Sequence, residues 1–170
     1  MTGMFKVIDD ICAEHGLDQV LHPHVQTLVE TRDDMHRVLD SCDVRWCLDT
    51  GHMAIGGQDP VEFAKEAFER VGHVHLKDVN LSMVPKVMSR EVTLMNATQA
   101  GLFTSLGQGD VDIKGVIQTL EGQGYQGWYV IEQDTAITAG MPKEGEGPVE
   151  DVKTSLDYLT NVVAPTLAKN

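Results

Sequence analysis

Val44-Arg45-Trp46-Cys47-Leu48-Asp49-Thr50-Gly51-His52 is an apolar run that stops abruptly at a carboxylate, a glycine and an imidazole. A short run of this kind, rich in strand formers and bounded by glycine, reads as a buried parallel strand with its functional groups at the C-terminal end. In α/β proteins that end is where chemistry is placed. The layout recurs in Gln19-Val20-Leu21-His22-Pro23-His24, in Val71-Gly72-His73-Val74-His75-Leu76-Lys77-Asp78 and in Gly127-Trp128-Tyr129-Val130-Ile131-Glu132-Gln133-Asp134. Side chains alternate along a strand, so His22 and His24 share a face, as do His73 and His75, while Asp49 and Glu132 close their own strands. Set side by side, such strands bring His, Asp, His and Glu to one point, a donor set for a divalent metal.

The intervening stretches have helical period. Met4 to His15 places Phe5, Ile8, Ile11 and Cys12 on one face, and Gly16 follows as a C-cap. Thr31 opens a second helix with Asp33 and Asp34 in its first turn and Met35, Val38 and Leu39 inward. Asp59-Pro60-Val61-Glu62 is a compact helix start, with Phe63, Ala64, Ala67 and Phe68 as the buried stripe. From Leu81 to Leu106 the period is lost. A stretch that long exceeds an ordinary connection and predicts a long loop, with some helix, over the catalytic face. Gly107-Gln108-Gly109-Asp110 reads as a turn, Asp112 as the N-cap of a helix with Ile113, Val116, Ile117 and Leu120 inward, and Pro148 as the start of a last helix facing inward through Val149, Val152, Leu156, Leu159 and Val163. The resulting order, helices alternating with four strands, suits right-handed parallel crossovers in an α/β domain. Four strands do not close a barrel.

The 170 residues suffice for a single domain, 1–170, with a real core. A formal net charge of −13 without any basic run argues against nucleic acid and anionic membrane, which leaves a small molecule as the expected partner. Cys12, Cys42 and Cys47 have neither zinc spacing nor an even count, which favours reduced thiols in the cytoplasm. No signal peptide or membrane-spanning run is legible.

Any one of these polar strand residues could be a hydrogen-bonded structural group. Four together at matched strand ends are harder to explain that way, because clustered charges in an apolar interior are costly unless a cation ligates them. His, Asp and Glu without Cys suit Mn²⁺ or Co²⁺ foremost, then Mg²⁺ or Fe²⁺, with Zn²⁺ a further fit. His52 is a substrate-binding imidazole or a support for the ligands. Lys77 and Asp78 are either catalytic and substrate-binding or an ion pair that finishes a strand. His15 and His36 read as solvated surface groups.

Leu48-Asp49-Thr50-Gly51-His52, His73-Val74-His75-Leu76-Lys77-Asp78 and Glu132 resemble the signatures of the sugar phosphate isomerase/epimerase superfamily, whose fold is the xylose isomerase-like TIM barrel. His22-Pro23-His24 with Thr27, Gly101-Leu102-Phe103-Thr104, and Gly127-Trp128 with Glu132-Gln133-Asp134 resemble its inosose dehydratase branch. The resemblance implies metal ligation by Asp49, His75 and Glu132, with His22 or His24 where the superfamily has a further Glu. It also implies that strands one to four of an eight-stranded barrel are not in this chain. The chain therefore reads as the C-terminal half of a parallel (β/α) TIM-type barrel, expected either to self-associate or to meet a missing N-terminal half. The implied activity is a metal-dependent dehydratase of a keto-inositol, with His52, Lys77 and Glu132 as acid–base candidates and His24, His52, Lys77 and Asp78 as substrate contacts. The rivals are a keto-sugar isomerase or epimerase, and a half-barrel that binds a sugar or a partner chain without turnover.

Overall fold

The computed structural model describes residues 2–167. Its strands are β1 (Val20–Leu21), β2 (Arg45–Asp49), β3 (Val71–Leu76), the short β4 (Asp78–Val79) and β5 (Phe103–Thr104), and β6 (Tyr129–Ile131). β1, β2, β3 and β6 form one parallel sheet in that order, and β4 pairs with β5 antiparallel. The helices are α1 (Thr2–Glu14), α2 (Arg32–Ser41), α3 (Thr50–Ile55), α4 (Pro60–Glu66), α5 (Val84–Met88), α6 (Leu94–Gln99), α7 (Ile113–Gly122) and α8 (Pro148–Tyr158).

The two faces of the sheet are chemically opposite because the strand period is two. Trp46 and Leu48 of β2, Val74 and Leu76 of β3, and Tyr129 and Ile131 of β6 pack against the helical layer, where they meet Met35, Val38, Phe63, Ala64, Val116 and Leu120. Cys47, Asp49, His73, His75 and Glu132 alternate with these residues and so fall on the other face. Trp46 and Phe63 anchor the core edge to face at 5.2 Å; truncating such an aromatic costs about 3–5 kcal/mol. Local chemistry agrees with the global fold at the helix starts. Thr31 and Asp34 exchange the two hydrogen bonds of a capping box. Asp59 accepts from Val61 N–H and Glu62 N–H ahead of Pro60, and Asp112 accepts from Gly115 N–H.

Beyond those readings, β2 runs straight into α3, which Asp49 caps by accepting from His52 N–H at 2.7 Å. Several expectations need correction. The stretch 81–106 has the expected helix but is more ordered than a long loop. It holds α5, α6 and β5, and Val87, Ala97, Leu102 and Phe103 form a small core with Val25, Ile55 and Val79. Its missing period reflects two short helices in place of one long one. Helix α1 leaves Ile8 and Ile11 exposed and reaches the main core through Phe5. Helix α8 is turned from its expected face: Val149, Val152 and Leu156 are exposed while Ser155 is fully buried. Polar anchors set that rotation, since Ser155 Oγ accepts from Leu106 N–H and Asp151 accepts from Ser105 Oγ and Thr135 Oγ1. His36 is not a solvated surface group but half-buried, with Nε2 3.0 Å from Gln58 Oε1.

Candidate metal and acid–base site

The C-terminal ends of the parallel strands converge. Asp49↔His75 is a register pair of β2 and β3, and His75↔Val130 sets Glu132 just beyond β6, where its N–H donates to Leu76 O. His22 follows β1 directly. One donor atom from each of His22, Asp49, His75 and Glu132 lies within 4.8 Å of all the others. His24 is outside this group: its Nδ1 lies 2.8 Å from Val25 O, and its ring stacks on His52 at 3.7 Å. Of the two imidazoles left open by the sequence, the fold brings His22 to the cluster.

The donor set fits a cation. His75 Nδ1 and Glu132 Oε2 are 2.7 Å apart, yet both are buried atoms that lack an aligned hydrogen bond. Two buried donor atoms this close without an aligned hydrogen bond leave lone pairs that a shared cation would satisfy. The Asp49 carboxylate, then the Cys47 sulfur and Glu132, pull His75 up to about 11, so this point demands positive charge. Burial tends to raise the Asp49 carboxyl, but His22, His75, His52 and Lys77 outweigh it and hold it well below the ordinary carboxylate range. Contact with His75 lowers Glu132 likewise, against its desolvation. Imidazole and carboxylate donors of this kind suit a divalent transition metal.

Lys77 organises the other half of the site. Its Nζ donates to Asp134 Oδ2 at 2.8 Å and to His52 Nε2 at 3.0 Å, and lies 3.3 Å from Glu132 Oε1 and 3.8 Å from Asp49 Oδ2. Burial opposes its charge, but the Asp49, Asp134 and Glu132 carboxylates raise its pKa above the ordinary lysine value. His52 is pushed by burial down to about 3 and stays neutral. Since Nε2 accepts from an ammonium, the remaining proton sits on Nδ1, a buried atom without a hydrogen-bond partner. The backbone supports this placement. Thr50 Oγ1 donates to Lys77 O and accepts from Lys77 N–H, bolting β2 to β3. A Cβ on Gly51 would stand 2.7–2.9 Å from the Lys77 stem, so only glycine leaves room for it.

Asp78 is elsewhere. Lys77 and Asp78 do not form an ion pair with one another, and Asp78 is not placed to bind substrate. Its carboxylate is buried and accepts from the N–H groups of Val79, Gly107, Gly109 and Val111 at 2.8–3.0 Å. The Gly107-Gln108-Gly109 turn is thus an anion cradle whose anion is the protein's own side chain.

A cavity of about 550 Å³ adjoins the cluster, lined by His24, His52, Phe103, Gln133, Asp134 and Thr135, with Leu94 and Met95 of α6 across it. That volume suits a small polyol. Asp134 is the site residue that sequence reasoning missed. It lies two residues past Glu132 in the same strand end, and that spacing was the available signal.

The parallel sheet with its polar strand ends defines an α/β class of TIM-barrel type. The family model of the xylose isomerase-like TIM barrel matches residues 1–162, and the chain belongs to that family. It is similar to curated inosose dehydratases. That of Geobacillus thermodenitrificans (strain NG80-2) is 36% identical over 135 residues, covering 76% of this chain and 45% of the relative. That of Clostridium botulinum (strain Alaska E43 / Type E3) is 32% identical over 146 residues, covering 84% and 49%. The chain therefore spans about half the length of the curated relatives it matches. Among solved structures, the probable 3-DHS dehydratase AsbF of Bacillus anthracis superposes with a TM-score of 0.70 at 20% identity, over 95% of this chain and 56% of that one. The IOLI protein with a bound zinc atom does so at 0.65 and 18%, over 98% and 55%. These likenesses share the fold.

Proposed function

We propose that this chain supplies the metal-binding and acid–base half of a hydro-lyase that dehydrates a keto-inositol. The observation that carries the reading is the convergence of His22, Asp49, His75 and Glu132, with two buried donor atoms unaligned, beside a charged Lys77 and a cavity of about 550 Å³. Those four side chains would hold a divalent ion, Mn²⁺ or Co²⁺ foremost. When bound, the ion supplies Lewis acidity that polarises the ketone and acidifies the adjacent C–H. Lys77 and Asp134 then divide the proton work. Asp134, partly exposed to the cavity, takes the α-proton, and the C–H electron pair becomes the new double bond. The C–O bond breaks, and hydroxide leaves as water with a proton from Lys77. Asp134 returns its proton to Lys77 across their 2.8 Å contact, which closes the cycle without net proton change. Neutral His52 steers the ammonium through Nε2, while Glu132 Oε1 holds the ammonium's other side. His24 and His52 line the cavity where substrate hydroxyls would lie.

Ultraviolet detection of a conjugated dione from 2-keto-myo-inositol tests the reading. Asp134→Asn and Lys77→Met should each lower turnover by roughly 10²–10⁴-fold while Mn²⁺ uptake persists. Undiminished turnover in both variants would refute the assignment, and a rearranged ketose without dione would make the enzyme an isomerase.

We infer further that residues 1–170 form one half-barrel completed by a second half, supplied by another copy or by an N-terminal half. In support, β1 and β6 each end the sheet, Trp128 and Val130 are exposed on the β6 edge, and the apolar stripes of α1 and α8 lack cover. Two copies closed on each other should bury more than about 2,000 Å² in total. A well-behaved monomer in analytical ultracentrifugation at micromolar concentration would exclude self-association. Three free cysteines, Cys12, Cys42 and Cys47, support a reducing cytoplasmic setting. Among the described residues no helix is long and apolar enough to cross a membrane.

A further inference from the structure

Cys47 takes no part in the acid–base chemistry, yet it lies against the site. On the site face of β2 it stands two residues before Asp49, about 6–7 Å lower along the strand. Its Sγ, a nitrogen of His22 and a nitrogen of His75 all lie within 4.8 Å of one another. The thiol is buried and free of any disulfide. Two donor sets therefore share the same pair of imidazoles: one is completed by the oxygens of Asp49 and Glu132, the other by sulfur. Oxygen-rich sets suit harder ions such as Mn²⁺ and Mg²⁺, whereas a thiolate with two imidazoles suits Zn²⁺ or Cd²⁺.

We propose that Cys47 gives the protein a second, softer metal position, in which His22, Cys47 and His75 hold Zn²⁺ or Cd²⁺ one side-chain layer below the position completed by Asp49 and Glu132. The inference rests on the metal reading above for the identity of the first position. Binding is simple ligation: the thiol proton goes to solvent as the sulfur–metal bond forms, with no change of oxidation state. Because the two sets share His22 and His75, and two dications a few ångströms apart repel, occupation is exclusive. A soft ion seated on Cys47 takes both imidazoles from the working ion, so it displaces that ion and silences the site.

The test uses the full chain carrying Cys12→Ser and Cys42→Ser, which leaves Cys47 as its single thiol. Titration with Cd²⁺ should raise the ultraviolet sulfur-to-cadmium charge-transfer band, saturating at one ion per chain. Adding Cys47→Ser should abolish the band, and Cys47→Ala should do the same with a side chain that cannot ligate. In protein preloaded with Mn²⁺, Cd²⁺ should release the manganese, visible as the free-ion signal in electron paramagnetic resonance. Asp49→Asn separates the two readings, since it should lose Mn²⁺ uptake and keep the cadmium band. Absence of the band, its persistence without Cys47, or simultaneous retention of both ions would overturn the second position. A full band in protein that never takes Mn²⁺ would uphold it and overturn the oxygen-donor position instead.

Discussion

Asp49 and Asp78 are both buried aspartates at the same end of the sheet, and they have opposite surroundings. Asp78 is saturated by main chain: Val79 and Val111 N–H donate to Oδ1, and Gly107 and Gly109 N–H donate to Oδ2. Asp49 has one such donor, His52 N–H on Oδ1. Its Oδ2 is left to side chains at longer range, His22 at 3.2 Å, His75 at 3.5 Å and Lys77 at 3.8 Å. A carboxylate whose lone pairs are filled by fixed amides is finished as a structural anchor. One ringed by ionisable groups at loose distances is still open to ligation.

The largest effect should fall on the anchor. Asp78→Ala strands four buried or half-buried N–H groups, and a loss of roughly 3–5 kcal/mol is expected, read from the urea midpoint. An unchanged midpoint would mean that the glycine turn holds itself. Asp49→Asn should act on metal rather than on folding: the remaining amide oxygen can still cap α3, but Mn²⁺ affinity should fall by more than the roughly 10–100-fold typical of a ligand's supporting partner. Elemental analysis showing equal metal in that variant would sink the ligand assignment. Gly51→Ala tests the packing that aims Lys77. Its Cβ would meet the lysine stem at 2.7–2.9 Å, so about 1–3 kcal/mol of overpacking is expected, together with slower turnover at unchanged Mn²⁺ uptake.

The smallest effect is a pH dependence remote from the cluster. Glu30 accepts from Gln26 N–H at 2.8 Å and from both terminal nitrogens of Arg90. It thereby ties together two non-glycine residues in the left-handed region, Gln26 at φ 67° and Arg90 at φ 63°. Hydrogen bonding from Arg90 lowers the Glu30 pKa despite its burial. A carboxyl depressed in the folded state stabilises above its unfolded value, about 4.3, and that stability is lost as pH falls through the folded value. Wild type and Arg90→Ala should therefore differ in urea midpoint at neutral pH and converge below pH 4.3. A constant gap across that window would remove Glu30 from the account.

The parts of the site that follow from period two were legible at once. Asp49, His75 and Glu132 end apolar strands, and alternation alone puts them on the face opposite Trp46, Leu48, Val74 and Ile131. Thr31, Asp59 and Asp112 were equally legible, since a cap is chemistry within four residues. The choice of His22 over His24 was not, because Pro23 and the short β1 leave the second imidazole beyond the regular alternation. Asp134 stood in the strand-end motif without a role for a similar reason. It lies past the last paired residue of β6, where only the 57-residue jump to Lys77 gives it a role.

The amino-acid sequence by itself therefore determined the parallel α/β plan, the core face and the set of side chains able to ligate a metal, since these depend on period and on contacts between near neighbours. Tertiary structure decided what each of those side chains is worth. Lys77 and Asp78 are adjacent in the chain, yet one faces three carboxylates and the other four amides, because successive strand residues point apart and meet loops contributed from far away. The exposed stripes of α1 and α8 teach the same lesson. Hydrophobic period can say that a face is apolar, but only the assembled molecule says whether Ser155, tied to Leu106, or Leu156 turns inward, because a buried polar group must find its partner before a helix can settle.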